Sequence, residues 1–205
     1  MVRACFTWVA WALPTEPPEE KITMAQKSLH AALTEAASVC TGVDLDGEAI
    51  SELRNLGIFT NVVEGDVERL SELGSDLGRY DLVVAGDIIE HVSNPGLMLD
   101  GIKDRLNKDG RLIVSTPNAF GIASWIKYAR GKFREGAQHV LCFNPITLRQ
   151  LLERHGYEVT EALSCYQSRA VDQYGASFRL LRLILEKQPR FGGTLLFVCR
   201  VRQGP

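Results

Sequence analysis

Residues 80–92 read YDLVVAGDIIEHV and residues 109–118 read DGRLIVSTPN, and these two stretches decide the fold. Each contains a short apolar run, at 82–85 and 112–114, that is rich in β-branched residues and bounded by Gly, Asp or Pro. Such runs are typical of strands that are buried on both faces. One helical segment separates them, and a tight turn is predicted at 108–110. Strand, helix and strand together predict a right-handed βαβ unit in a parallel sheet.

The ends of these two strands carry polar residues. In a doubly wound sheet, ligands bind outside the carboxyl ends of the strands. Here those ends are followed by residues 86–91 and 115–118, which include Asp87, Glu90 and His91. We therefore expect the chemistry at this edge of the sheet.

The same alternation of strand and helix extends over the chain. Further strands are predicted at 5–13, 39–44, 59–63, 157–165 and 194–201, and further helices from Lys27, at 47–56, 144–155 and 177–187. This order predicts one doubly wound α/β domain over residues 1–205. Residues 119–138, which carry Trp125, Tyr128 and Phe133, interrupt it and are predicted to be a lid or substrate-recognition insertion, or else a peripheral helix over the sheet edge.

The composition excludes some partners. The 205 residues carry a formal net charge of -2, which provides no basic field for nucleic acid or an anionic membrane. The five cysteines are widely spaced and form no CxxC pair, so buried free thiols in a reducing compartment are expected. The apolar run at 6–13 is too short to span a bilayer. We predict a cytoplasmic protein.

Four ordered motifs carry a resemblance to a known family. They are TGVDLD at 41–46, GDV at 65–67, the stretch at 80–92 and the stretch at 106–118. Together they resemble the class I S-adenosylmethionine-dependent methyltransferases, in the small-molecule branch that includes ubiquinone-biosynthesis O-methyltransferases. The resemblance implies a Rossmann-like, mostly parallel seven-stranded sheet with an antiparallel last strand. It also implies S-adenosylmethionine as cofactor and a small-molecule acceptor methylated at oxygen. With the charge, we expect no nucleic-acid or membrane partner, and the sequence leaves open a homodimer.

The resemblance further implies which residues hold the cofactor. Asp44 would accept hydrogen bonds from both ribose hydroxyls, and Asp66 would accept one from the adenine amino group. An acid after a strand is also often the N-cap of the next helix, an alternative that suits Asp66 better than Asp44. Val67 would pack on the adenine ring, and the backbone of Ala85 and Gly86 would face the methionine portion. The implied set is Asp44, Leu45, Asp66, Val67, Ala85, Gly86 and Asp87.

The catalytic candidates follow the fourth strand. If a helical turn begins at Asp87, the side chains of Asp87, Glu90 and His91 share one face and could act as acid, base and orienting group. His91 is the main candidate, with Glu90 beside it, and His139 is the second because of its position in the family. Two alternatives stay open, namely a Mg²⁺ site at this turn, as in some relatives, or a turn that Glu90 and His91 merely cap and solvate. We expect no metal.

The sequence departs from the family at its start. Residues 1–26 contain no glycine, whereas the family places a glycine-rich loop under the cofactor after the first strand. An out-of-frame reading of this segment is one explanation. A second function class follows, a non-catalytic methyltransferase-like scaffold or partner subunit that has lost cofactor binding. A nicotinamide dehydrogenase is a third, but the chain lacks GxGxxG.

Overall fold

The computed structural model describes residues 2–8, 25–74, 77–131, 138–165 and 189–203. Its strands form one seven-stranded sheet in the order β3-β2-β1-β4-β5-β7-β6. β1 is parallel to β2 and β4, β2 is parallel to β3, and β7 is antiparallel to β5 and β6. The predicted Rossmann-like fold is confirmed. The strands are β1 (Val2–Trp8), β2 (Ala37–Asp44), β3 (Val62–Glu64), β4 (Tyr80–Gly86), β5 (Leu106–Pro117), β6 (Tyr157–Cys165) and β7 (Thr194–Val201).

The helices begin at residues that the sequence marks as caps. Asp46 accepts a hydrogen bond from Ala49 N before α2, and Asn94 does so from Leu97 N before α3. Gly57 follows α2 with a φ of 67°, a conformation in which glycine has no side chain to clash. The helices are α1 (Leu29–Ala36), α2 (Gly47–Asn55), α3 (Pro95–Arg105), α4 (Ile122–Ala129) and α5 (Pro145–Arg154), with 3-10 turns at Val67–Arg69 and Pro189–Phe191.

The chain packs as two compact units. The first comprises residues 1–85 and 94–112, and the second comprises residues 86–93 and 113–205. In the first, an apolar cluster that includes Ile50, Leu53, Phe59 and Val62 lies beneath α1 and α2. In the second, the fully buried side chains include Leu148 and Leu152 of α5 and Tyr157 and Phe197 of the last two strands. The single domain over residues 1–205 stays a prediction.

The structure differs from the predicted turn at 108–110. β5 is continuous from Leu106 to Pro117, so these residues belong to the strand. A Cβ added to Gly110 would lie 2.9 Å from the Tyr80 carbonyl oxygen. The glycine therefore serves the close approach of two backbones, and tertiary packing overrides the local turn signal.

Some predictions fall outside the part of the chain described, or differ from it. The strand predicted at 9–13, the helix at 177–187 and the middle of the 119–138 segment at 132–137 lie in undescribed stretches. All five cysteines carry thiols outside any disulfide, but only Cys5, Cys40 and Cys199 are buried, whereas Cys142 and Cys165 are exposed. Every helix that is described falls short of the length and hydrophobicity that a membrane crossing needs.

Candidate functional site

The carboxyl end of β2 carries a buried acid. The Asp44 side chain is 5% exposed, and its Oδ1 accepts a hydrogen bond from Asp46 N at 2.9 Å. The capping of α2 falls to Asp46, whose Oδ1 accepts from Ala49 N at 3.0 Å. Asp44 is therefore a buried carboxylate that the following helix does not use as its cap. Leu45, beside it, is 63% exposed.

The carboxyl end of β3 carries a capping acid. Asp66 Oδ1 accepts from Glu68 N at 2.9 Å, and the same carboxylate lies 3.9 Å from Arg69 Nε. The structure thus places Asp66 in the capping role that the sequence left open for it. A cap still leaves a second carboxylate oxygen, so the adenine role stays a prediction. Val67, expected to pack on the adenine ring, is buried.

The turn after β4 begins with an unusual backbone. Asp87 has a φ of 48°, a left-handed conformation that a non-glycine residue adopts only where its surroundings hold it. Its N–H donates to Ser115 O at 3.0 Å, and its Oδ1 accepts from Ser115 Oγ at 2.9 Å. These bonds to β5 hold the residue in place.

Glu90, three residues later, is turned away from Asp87. It is 2% exposed, and its Oε2 accepts a hydrogen bond from Thr116 Oγ1 at 2.8 Å. Ser115 and Thr116 are successive residues of β5, so their side chains lie on opposite faces of the sheet. Asp87 and Glu90 therefore engage opposite faces. The expectation that Asp87, Glu90 and His91 share one face is wrong, because the segment folds as a turn closed by His91 N to Ile88 O at 2.9 Å and not as a helix.

Burial governs the acidity of Glu90. Loss of solvation raises the pKa of its carboxyl above the ordinary value, and the negative charge of Asp87 adds to this, while hydrogen bonds from its own backbone and from Thr116 oppose it. Among the described side chains, that of Glu90 also has a buried atom without a hydrogen-bond partner, namely Oε1. Buried polar atoms normally have partners, so this oxygen needs an explanation.

The two predicted catalytic histidines come together. The rings of His91 and His139 meet edge to face, with centroids 4.7 Å apart. The segment that carries His139 is held by backbone bonds, because Val140 N and Leu141 N both donate to Glu90 O, at 2.9 and 3.2 Å. His91 Nδ1 lies 3.2 Å from Gln138 O. The adjacent residues Glu90 and His91 thus form one cluster with His139, which comes 48 positions after His91 in the chain.

Sequence reasoning missed a buried histidine. His30, on α1, is 1% exposed, with Nε2 3.2 Å from Asn61 Oδ1 and Nδ1 3.9 Å from Cys40 Sγ. Its burial follows from the face that α1 presents, since Ala31 is buried and Leu29 is half exposed. Cys5 pairs directly opposite Cys40, and their hydrogen bond lowers the pKa of the Cys40 thiol to about 5. His155, at the end of α5, is partly exposed.

Thr116 and Gln138 were also missed as partners of the cluster. Thr116 lies in the stretch at 115–118 that the sequence places at a strand end, so its position was a usable signal. Gln138 acts through its backbone carbonyl, and no side-chain pattern could have identified it.

The fold and these strand ends define a class I S-adenosylmethionine-dependent methyltransferase, and comparison with known proteins gives the same class. The family described as methyltransferase domain matches residues 27–162, more than half of the chain. The chain belongs to this family. Its structure is similar to that of a S-adenosylmethionine-dependent methyltransferase from Archaeoglobus fulgidus, with a TM-score of 0.61, 16% identity, and coverage of 96% of this chain and 85% of that one. At that identity the likeness shows the fold.

Curated relatives match over shorter stretches. The ubiquinone biosynthesis O-methyltransferase of Azorhizobium caulinodans is 34% identical over 70 residues, which is 34% of this chain and 26% of that protein. The enzyme of the same name from Shewanella halifaxensis is 28% identical over 92 residues, which is 44% of this chain and 39% of that protein. The matched stretches thus span between a quarter and two fifths of these relatives.

Proposed function

We propose that this chain transfers the methyl group of S-adenosylmethionine to the oxygen of a small-molecule acceptor. The observation that carries the proposal is the cluster of Glu90, His91 and His139, in a chain of this family, at the turn after β4. The sulfonium is already activated, so the protein must position the acceptor and help its hydroxyl lose a proton. The partial matches to two O-methyltransferases support oxygen as the acceptor atom.

The buried Asp44 supports cofactor binding. Asp44 is a buried carboxylate at the end of β2, and a carboxylate can accept hydrogen bonds from two neighbouring ribose hydroxyls at once. We assign Asp66 and Val67 to the adenine and Ala85, Gly86 and Asp87 to the methionine portion, as the family resemblance implies. Leu45 completes the set.

His91 is the candidate base. A carbonyl oxygen only accepts, so a neutral His91 that bonds to Gln138 O donates from Nδ1 and keeps a lone pair on Nε2 for the proton of the acceptor. An imidazole can remove the proton of a phenolic hydroxyl, whose ordinary pKa is about 10, far more readily than that of an aliphatic alcohol. The exposed rings of Trp125 and Tyr128 on α4 offer apolar surface for such an acceptor. We therefore favour a phenolic acceptor, with residues 119–138 as its predicted recognition segment.

Calorimetric titration with S-adenosylhomocysteine is the first test. Asp44→Asn should weaken binding by about 10- to 100-fold, because a hydrogen bond to a charged group contributes about 1.5–3 kcal/mol. Asp46→Asn is the matched control, since Asn caps a helix as well as Asp does and should leave the affinity unchanged. Methyl transfer to catechol would then be measured with labelled S-adenosylmethionine.

The scaffold alternative predicts the opposite result. It is favoured by the absence of glycine from residues 1–26. A folded chain that shows no saturable binding of S-adenosylhomocysteine would rule out the enzyme and support the scaffold. Binding with equal affinity in the Asp44→Asn variant would instead refute the assignment of Asp44.

A further inference from the structure

Two buried thiols lie side by side on neighbouring strands. Cys5 of β1 and Cys40 of β2 are directly paired in the parallel register, and they are 0% and 6% exposed. Paired residues of neighbouring strands point to the same face of the sheet, and such strands run about 4.8 Å apart. A disulfide needs a Cα separation of about 4.4–6.8 Å. The backbone separation of this pair therefore permits a disulfide.

Asn61 fixes the tautomer of the histidine beside this pair. Its Nδ2 donates to Cys40 O at 2.9 Å, so its Oδ1 is the atom that lies 3.2 Å from His30 Nε2. An amide oxygen only accepts, so the ring proton of a neutral His30 is on Nε2, and its Nδ1 carries a lone pair. That Nδ1 lies 3.9 Å from Cys40 Sγ. His30 can therefore take the proton of the Cys40 thiol.

The surroundings give the two thiols different acidities. A hydrogen bond from Cys5 lowers the pKa of the Cys40 thiol, and hydrogen bonds with His30 and Thr34 add to this, while burial opposes it. The pKa of Cys5 is raised, first by its hydrogen bond to Cys40 and then by burial. Tyr80 of β4, also near the pair, has its pKa raised mainly by burial and stays uncharged at neutral pH. Cys40 is thus the thiolate of the pair, and Cys5 keeps its proton.

We propose that Cys40 is a peroxide-sensitive thiol whose oxidation ends in a disulfide with Cys5, which links β1 to β2. The thiolate is the form of cysteine that attacks peroxides. Because Cys40 is 6% exposed, the oxidant must be small, and hydrogen peroxide meets this condition whereas a bulky disulfide does not. The proposal concerns a modification of the sheet and is independent of methyl transfer.

The oxidation proceeds in two balanced steps. The Cys40 thiolate attacks one oxygen of hydrogen peroxide, so a sulfur–oxygen bond forms, the oxygen–oxygen bond breaks and hydroxide leaves. Cys5 then attacks the sulfur of the resulting sulfenic acid, so a sulfur–sulfur bond forms and the sulfur–oxygen bond breaks. The departing hydroxide takes the proton of Cys5 and becomes water. The two sulfur atoms together lose two electrons, which the peroxide gains.

Cys199 of β7 provides a matched comparison within the same chain. It is 0% exposed, but burial raises the pKa of its thiol to about 12. Its register partner on β6 is Val159, which carries no thiol. If depth of burial alone governed oxidation, Cys199 would react as Cys40 does. The proposal requires Cys40 to be oxidised and Cys199 to stay reduced.

The test is a peptide map of the reduced full chain after treatment with hydrogen peroxide at neutral pH, with the remaining thiols blocked by iodoacetamide in denaturant. We expect the tryptic peptides that contain Cys5 and Cys40 to be joined and lighter by two hydrogens, and Cys199 to be blocked as a thiol. Cys5→Ser keeps a hydrogen-bond donor but cannot form the disulfide, so it should accumulate Cys40 sulfenic acid, which dimedone traps. Cys199→Ser is the matched control and should form the disulfide as the parent does.

His30→Gln tests the histidine through the pH dependence of oxidation. In the parent, the rate of disulfide formation should fall only as the pH drops towards about 5, where the Cys40 thiol takes up its proton. In His30→Gln the fall should begin at a higher pH, because the thiolate has lost its proton acceptor. His155→Gln should follow the parent. An unshifted profile of His30→Gln would refute the part assigned to the histidine.

Three results with the unaltered chain would overturn the proposal. They are Cys5 and Cys40 both recovered as thiols, Cys199 oxidised as fast as Cys40, or a disulfide that joins Cys40 to a cysteine other than Cys5. None of these needs a variant, so a substitution that prevents folding does not affect the decision.

Discussion

The carboxyl group of Glu90 lies at a buried position, where water solvates its negative charge poorly. It is buried, one of its oxygens has no partner in the described structure, and its pKa is raised mainly by loss of solvation. A group whose pKa is raised by folding contributes its full stability below the pKa of the unfolded chain, and loses it as the pH rises through the folded value. Once ionised, Glu90 therefore destabilises the folded protein.

Glu90→Gln should consequently stabilise the chain at a pH where Glu90 is ionised. The amide has nearly the same shape and can still accept from Thr116, but it carries no charge. The gain in unfolding free energy should be largest above the raised pKa of the Glu90 carboxyl and shrink as the pH falls through that pKa, because the parent then becomes protonated. Urea unfolding over a series of pH values measures it.

Glu161→Gln, at an exposed position of β6, is the control for this pH series. It replaces a carboxylate that solvent reaches and leaves the surroundings of Glu90 intact, so it should not reproduce the effect of Glu90→Gln. A Glu90→Gln variant that is less stable than the parent throughout the series would contradict the account of Glu90 as a destabilising charge.

α5 begins a few residues after His139. Asn144 Oδ1 accepts from Ile146 N at 2.9 Å and from Thr147 N at 3.0 Å, and Thr147 Oγ1 accepts from Asn144 N at 3.0 Å, which completes a capping box. Pro145 in the first turn adds a preset φ. The start of this helix is therefore well determined by the consecutive residues 144–147.

Asn144→Ala should lower the unfolding free energy by about 1 kcal/mol, because two helix N–H groups lose their acceptor. Asn144→Asp keeps the acceptor and adds a favourable charge at the helix N-terminus, so it should match the parent. Urea denaturation of the three proteins makes the comparison. Equal stability of the Ala variant would mean that water replaces the cap without cost.

Cofactor binding is a property of the complete chain, and it separates the three function classes. A ligand that binds only the folded protein stabilises it by about 2.7 kcal/mol at a concentration of 100 times its dissociation constant. For a chain of this length that corresponds to a rise in melting temperature of roughly 5–10 °C. We expect S-adenosylhomocysteine to produce it and NAD to produce none.

The Asp44→Asn variant is the control in this melting experiment. Its shift should be smaller than that of the parent at equal ligand concentration, because its affinity is lower. A shift with NAD alone would favour the dehydrogenase, and no shift with either ligand would favour the scaffold. The result therefore bears on whether the glycine-free start of the chain is compatible with a working cofactor site.

The sequence by itself determined where along the chain the strands and helices lie and which polar residues follow the strands. The apolar runs, Gly57 after α2 and the Asn144-Pro145 start of α5 are local signals, and local signals survive folding because they depend on backbone conformation. Local signals also identified the candidate site residues. These are the acids after β2 and β3 and the histidines at 91 and 139. Family motifs then supplied their proposed roles.

Tertiary structure alone decided which of these residues meet. The alternation of Ser115 and Thr116 on β5 separates Asp87 from Glu90, and the backbone bonds from residues 140 and 141 bring His139 to His91. The burial of His30 and the continuation of β5 through Gly110 depend likewise on packing against distant residues. Such contacts join positions far apart in the chain, so no local pattern encodes them.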